Sequence, residues 1–108
     1  MILWITIQAN GYADELVNVN IYQTKTDLLD AVSKFLLERI IDAQHERSMS
    51  DDRTNTIINM LRKKEIEGAL HVWSQRNEDR LKGFPTNREE LIIQRKLVEP
   101  SVHHEKAI

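Results

Sequence analysis

The chain contains no cysteine. Disulfides, thiolate zinc sites and cysteine nucleophiles are therefore excluded. Small secreted domains are often stapled by disulfides, so this absence favours a cytoplasmic location. Proline occurs twice and glycine three times in 108 residues. That leaves little for long linkers, and the scattered glycines form no phosphate-cradling loop. No stretch approaches the roughly 20 apolar residues of a membrane span. The apolar opening from Met1 to Ile7 turns polar at Gln8 and has no preceding base, so it does not read as a signal peptide.

What is present suits one packed core: 41% of the residues are hydrophobic and 30% charged. A single domain over residues 1–100 with a flexible tail, 101–108, is the expected organisation. The net charge of −2 is unevenly spread, at −5 over residues 1–52 and +3 over residues 53–108. Such asymmetry can mark an interaction surface, although a chain with 15 bases and 17 acids reaches it by chance as well.

Period-two alternation opens the chain. Leu3, Ile5, Ile7 and Ala9 fall on one face, Trp4, Thr6 and Gln8 on the other, which predicts a strand with the first set buried. Asn10-Gly11 suits a turn. Val17, Val19 and Ile21 then alternate with Asn18, Asn20 and Tyr22, predicting a second strand in an antiparallel hairpin connected over about residues 10–15. Thr24 and Thr26 are candidate caps for a helix over Lys25–Glu46, whose apolar stripe comprises Leu28, Leu29, Val32, Phe35, Leu36, Ile40 and Ala43. Leu37 and Ile41 lie off that stripe.

Ser48 to Asp52 supplies a new cap with two acids where a helix dipole favours them. The apolar phase set by Ile57, Ile58 and Leu61 slips before Ala69, Leu70 and Trp73, so a break is expected near residues 62–65. Gly83-Phe84-Pro85 ends the helical region. Leu91 to Val98 reads as a third strand, stopped by Pro100. The predicted fold is α+β in the order ββαααβ: a small antiparallel three-stranded sheet packed on two or three helices.

Candidate chemistry is sparse. His103-His104-Glu105 falls in the predicted tail, and His45 and His71 have no partner at ligand spacing, so no metal site is expected. The acids along the first helix (Asp27, Asp30, Glu38, Asp42) fit a solvated face. Asp51-Asp52, Glu78-Asp79 and Glu89-Glu90 sit at element ends. No serine carries a nucleophile-elbow motif. No catalytic residue and no cofactor are predicted.

Two kinds of partner remain. Arg62-Lys63-Lys64, with Arg76 and Arg80, could track a phosphate backbone, although interleaved glutamates and a pI near 6.1 weaken that alternative. Protein binding is the preferred expectation. A three-stranded sheet has one face its helices cannot cover, and Trp4, Thr6 and Tyr22 are expected to point there. Edge strands and the Leu37–Ile41 strip add further surface. The expected activity is that of an inhibitor, adaptor or accessory factor, of the kind phages also carry. Self-association as a homodimer is included among its partners.

Overall fold

Alternation extends the first segment as strand β1, Ile2–Asn10, in a computed structural model that describes residues 1–10, 15–84 and 89–98. Strand β2, Glu15–Tyr22, runs antiparallel to it, with a register shift between Gln8 and Ala9. The third strand, β3, spans Glu89–Leu97 and pairs antiparallel with the opposite edge of β1. The sheet order is therefore β2-β1-β3, and the first segment of the chain becomes the central strand. The predicted ββαααβ order and antiparallel sheet are what the structure shows. Asn10 ends β1, whereas Gly11 and the 101–108 tail lie outside the described residues.

Between the hairpin and β3 come three helices. Helix α1, Lys25–Glu46, starts where the Thr24 hydroxyl accepts the Asp27 N–H at 3.1 Å, and ends at Arg47 in the left-handed region, φ 53°. Its innermost line is Leu28, Val32, Leu36, Ile40 and Ala43, all buried. Helix α2, Asp51–Arg62, is capped by Ser50, whose hydroxyl accepts the Arg53 N–H at 3.3 Å. Lys64 at φ 59° reverses the chain, and α3 follows over Ile66–Ser74. The break thus falls where the apolar phase slips. The segment Arg76–Lys82 then winds as a tighter 3-10 helix and ends at Gly83, φ 89°. The φ there, with no neighbour within 4 Å of a Cβ, is what favours glycine.

The core lies between α1, α2, α3 and one face of the sheet. Leu28, Val32, Leu36, Ile57, Ala69 and Trp73 are its most enclosed apolar side chains. Gly68 allows α3 to approach α2: a Cβ there would meet Met60 Cε at 2.6 Å. Because that atom ends a flexible chain, Gly68→Ala should change stability by less than about 1 kcal/mol, helix propensity offsetting the displacement of Met60. Gly68→Leu should cost about 1–3 kcal/mol by overpacking. Denaturant midpoints of the two variants check this.

One expectation is overturned by the sheet. Trp4, Thr6 and Tyr22 do not look outward: Thr6 is 4% exposed, and Trp4 and Tyr22 pack against the helical core beside Leu91 and Ile93. The face carrying Leu3, Ile5, Ile7, Val19 and Ile21 is the uncovered one. Both faces of the hairpin hold large apolar groups, so period two alone does not choose between them. Only two residues separate Tyr22 from α1, which holds the helix above that side.

Candidate functional site

Backbone pairing assembles the open face. Ile5 stands opposite Ile21 and Gln94, Ile7 opposite Val19 and Ile92, and Leu3 opposite Lys96. Alternation puts these side chains on the side away from the helices. Ile21 is 62% exposed, Val19 48% and Ile92 42%. Leu3, Ile5 and Ile7 on the central strand are half-buried by their own neighbours. The result is a contiguous apolar layer across three strands, bounded along β3 by the exposed Glu90, Gln94 and Lys96. A β-branched layer of this kind is what sheets normally cover with another element.

The covered face has a polar seam at one end. The Arg39 guanidinium donates to Glu89 through Nε at 2.5 Å and Nη2 at 2.9 Å, and Gln8 Nε2 donates to the same carboxylate at 2.6 Å. The Glu89 hydrogen bond is the main cause that raises the Arg39 pKa, against the opposing effect of burial. Arg39 also lies over the Phe35 ring, 4.6 Å from its centroid. Arg76 is buried. Its guanidinium stacks 3.8 Å over Trp73 and donates to the Trp73 and Glu89 carbonyls. Burial pushes its pKa down. Beside it a cleft of about 490 Å³ is lined by Arg76, Asn77, Arg80, Glu89 and Glu90 among others. Its lining includes two arginines and two glutamates, so it presents no field of one sign.

A second buried pair fastens the far end. Asp79 accepts from Arg53 Nε at 3.0 Å, from Arg53 Nη2 at 3.3 Å and from the Ser50 N–H at 3.1 Å. Arg53 Nη1 also donates to the Val72 carbonyl at 2.9 Å. Among the described residues, no buried side-chain nitrogen or oxygen is left without a partner. The charges of the interior are thus committed to holding elements together.

Of the residues singled out from sequence, Leu37 and Ile41 are exposed on α1. Trp4 instead lines a groove of about 390 Å³ with Lys25, Glu67, His71 and Ile93. Lys25 bridges Glu67 at 2.8 Å and sits 5.6 Å over the Trp4 ring. Arg62, Lys63, Lys64 and Arg80 are exposed, but Arg76 is withdrawn into the seam. The five therefore do not form one surface, and the basic residues at the end of α2 also complement its dipole. Among the described residues, no group of three or more His, Asp or Glu could hold a metal ion, and no helix is long and apolar enough to cross a membrane. The His103-His104-Glu105 cluster lies outside the described residues.

The sequence reading missed the open face because it assigned those residues to the core. The available signal was the short Tyr22-to-α1 connection. It missed both polar seams because their partners are far apart in sequence: Gln8 and Glu89 by 81 positions, Ser50 and Asp79 by 29. Comparison with protein-family models, with curated proteins and with solved structures finds no match to the chain.

Proposed function

We propose that this chain is a small, non-catalytic protein-binding module that engages protein through the uncovered face of its sheet. The observation that supports this most directly is the layer of Leu3, Ile5, Ile7, Val19, Ile21 and Ile92, with outer members from 42% to 62% exposed. Exposed apolar layers of this extent on small domains mark interaction sites, because covering them releases water. The interior carboxylates and guanidinia are engaged in bidentate pairs and carbonyl contacts, which fits a scaffold better than a reaction centre. An inhibitor, adaptor or accessory factor fits this arrangement.

Ile21→Lys tests the reading. Its side chain is 62% exposed, so the change should move stability by no more than about 1 kcal/mol. A charge placed within the apolar layer, opposite Ile5, should nonetheless weaken binding strongly. In affinity capture from host extract, the wild type and Leu81→Lys, altered at a side chain 94% exposed and outside the sheet, should retain the same protein. Ile21→Lys should lose it. Equal retention by all three chains would rule out the open face.

A further inference from the structure

We infer that the open face receives a second copy of the same chain, stacked face to face with strands antiparallel and held in register by Glu90 and Lys96. The inference rests on the open face being the binding surface. It adds the identity of the occupant and the arrangement of the pair.

The self-complementarity is visible in the register. Glu90, Ile92, Gln94 and Lys96 share the outward side of β3, opposite Ala9, Ile7, Ile5 and Leu3 respectively. Glu90 and Lys96 lie six residues apart, about 20 Å along an extended strand. Both are exposed, and neither forms an ion pair within 4 Å of another described residue, although the Glu90 charge is near enough to act on Arg76. The midpoint between them falls at Ile93, which pairs with Thr6, which in turn pairs with Asn20.

A twofold axis in the plane between two sheets, perpendicular to the strands at that row, lays each strand over its own copy. Lys96 of one copy then stands over Glu90 of the other, twice per dimer. The same operation sets Ile5 over Ile7 and Val19 over Ile21. One axis therefore matches opposite charges at both ends of β3 and apolar residues across β1 and β2. This is the isologous pattern a symmetric dimer requires. Aligned sheets packing about 10 Å apart bury such layers without moving backbone.

Charge reversal also decides whether the face alone is enough. Three strands of about nine residues cover roughly 400 Å² per copy, or about 800 Å² for the pair, which is below the roughly 1,200 Å² at which stable interfaces begin. The dimer is accordingly weak and concentration-dependent, and two charge pairs are a substantial part of what fixes it.

The test is light scattering and sedimentation of the full chain from micromolar to millimolar concentration. The variants are Glu90→Lys, Lys96→Glu and the double reversal, with thermal unfolding as a check on folding. The wild type should pass from monomer to dimer. Each single reversal places like charges together twice and should weaken association roughly tenfold. The double reversal should return it to within about threefold of the wild type. A wild type that stays monomeric throughout overturns the second copy as occupant, and the capture experiment with Ile21→Lys then decides separately whether the face binds another protein. A dimer indifferent to the single reversals, or not restored by the double, overturns the proposed arrangement.

Discussion

Trp73→Ala is expected to lower stability by about 3–5 kcal/mol, the range for removing a buried large aromatic. Trp73 is 2% exposed on α3 and meets three other parts of the fold. The edge of Phe35 from α1 stands against it at 5.2 Å and 85°. The Arg76 guanidinium covers its face at 3.8 Å, and the core side chains of α1 and α2 close around it. Truncation would leave a cavity and also strand a buried cation that now rests on a π face. A domain of this size has total stability on the order of 5–15 kcal/mol, so the variant should be at best marginally folded. Urea titration checks this through the midpoint at unchanged slope. Trp73→Phe should recover part of the loss, since a smaller ring still fills much of the volume. A loss below about 1 kcal/mol for the alanine variant would show that the three helices pack without it.

Asp79→Asn is expected to cost about 2–4 kcal/mol at neutral pH, because breaking one side of a buried pair leaves Arg53 with only the exposed Glu78 carboxylate, 3.4 Å from Nη2, as a counter-charge. Asp79 is 0% exposed. Its two oxygens accept from Arg53 and from the Ser50 N–H, tying the first turn of α2 to the 3-10 segment. An asparagine keeps one acceptor oxygen but turns an amide N–H₂ toward the guanidinium.

The same contacts set a pH dependence. Burial pushes the Asp79 carboxyl up, but the Arg53 hydrogen bonds, the Ser50 N–H and the Arg53 charge outweigh it, so its pKa lies below the usual value. Since the unfolded chain takes up this proton more readily than the folded one, acid favours unfolding. The contribution of Asp79 is fully present above about pH 5 and is lost as pH falls through about 4 toward the lowered folded value. The gap in urea midpoint between wild type and Asp79→Asn should therefore narrow steadily in acid. A gap of constant size would mean that the ionised pair is not its source.

These two variants probe the scaffold, and the open-face variants probe association. They should separate cleanly. Ile21, Glu90 and Lys96 lie outside the core, so changing them should alter assembly while leaving the unfolding transition near that of the wild type. Trp73 and Asp79 lie inside it and should do the reverse.

Much of the architecture was legible from local pattern. A threonine cap at 24 or 26, a cap within Ser48 to Asp52, the α1 stripe and the phase slip after Leu61 each state a rule that neighbouring residues satisfy among themselves, and the structure selects Thr24 and Ser50. The 3-10 winding of Arg76–Lys82 was not legible, because no short-range signal distinguishes it from the tail of an α-helix. The polar seams were likewise invisible, since Arg39, Gln8 and Glu89 converge only after β3 has paired with β1.

By itself, then, the sequence determined which segments extend, which coil, where helices begin and break, and that two faces of the hairpin alternate. Only the tertiary structure decided which of those faces meets the helices. Periodicity is a property of one strand and is indifferent to inversion, whereas burial is settled by what lies on either side. Trp4, Thr6 and Tyr22 went inward with the helices, and the isoleucine layer was left facing out.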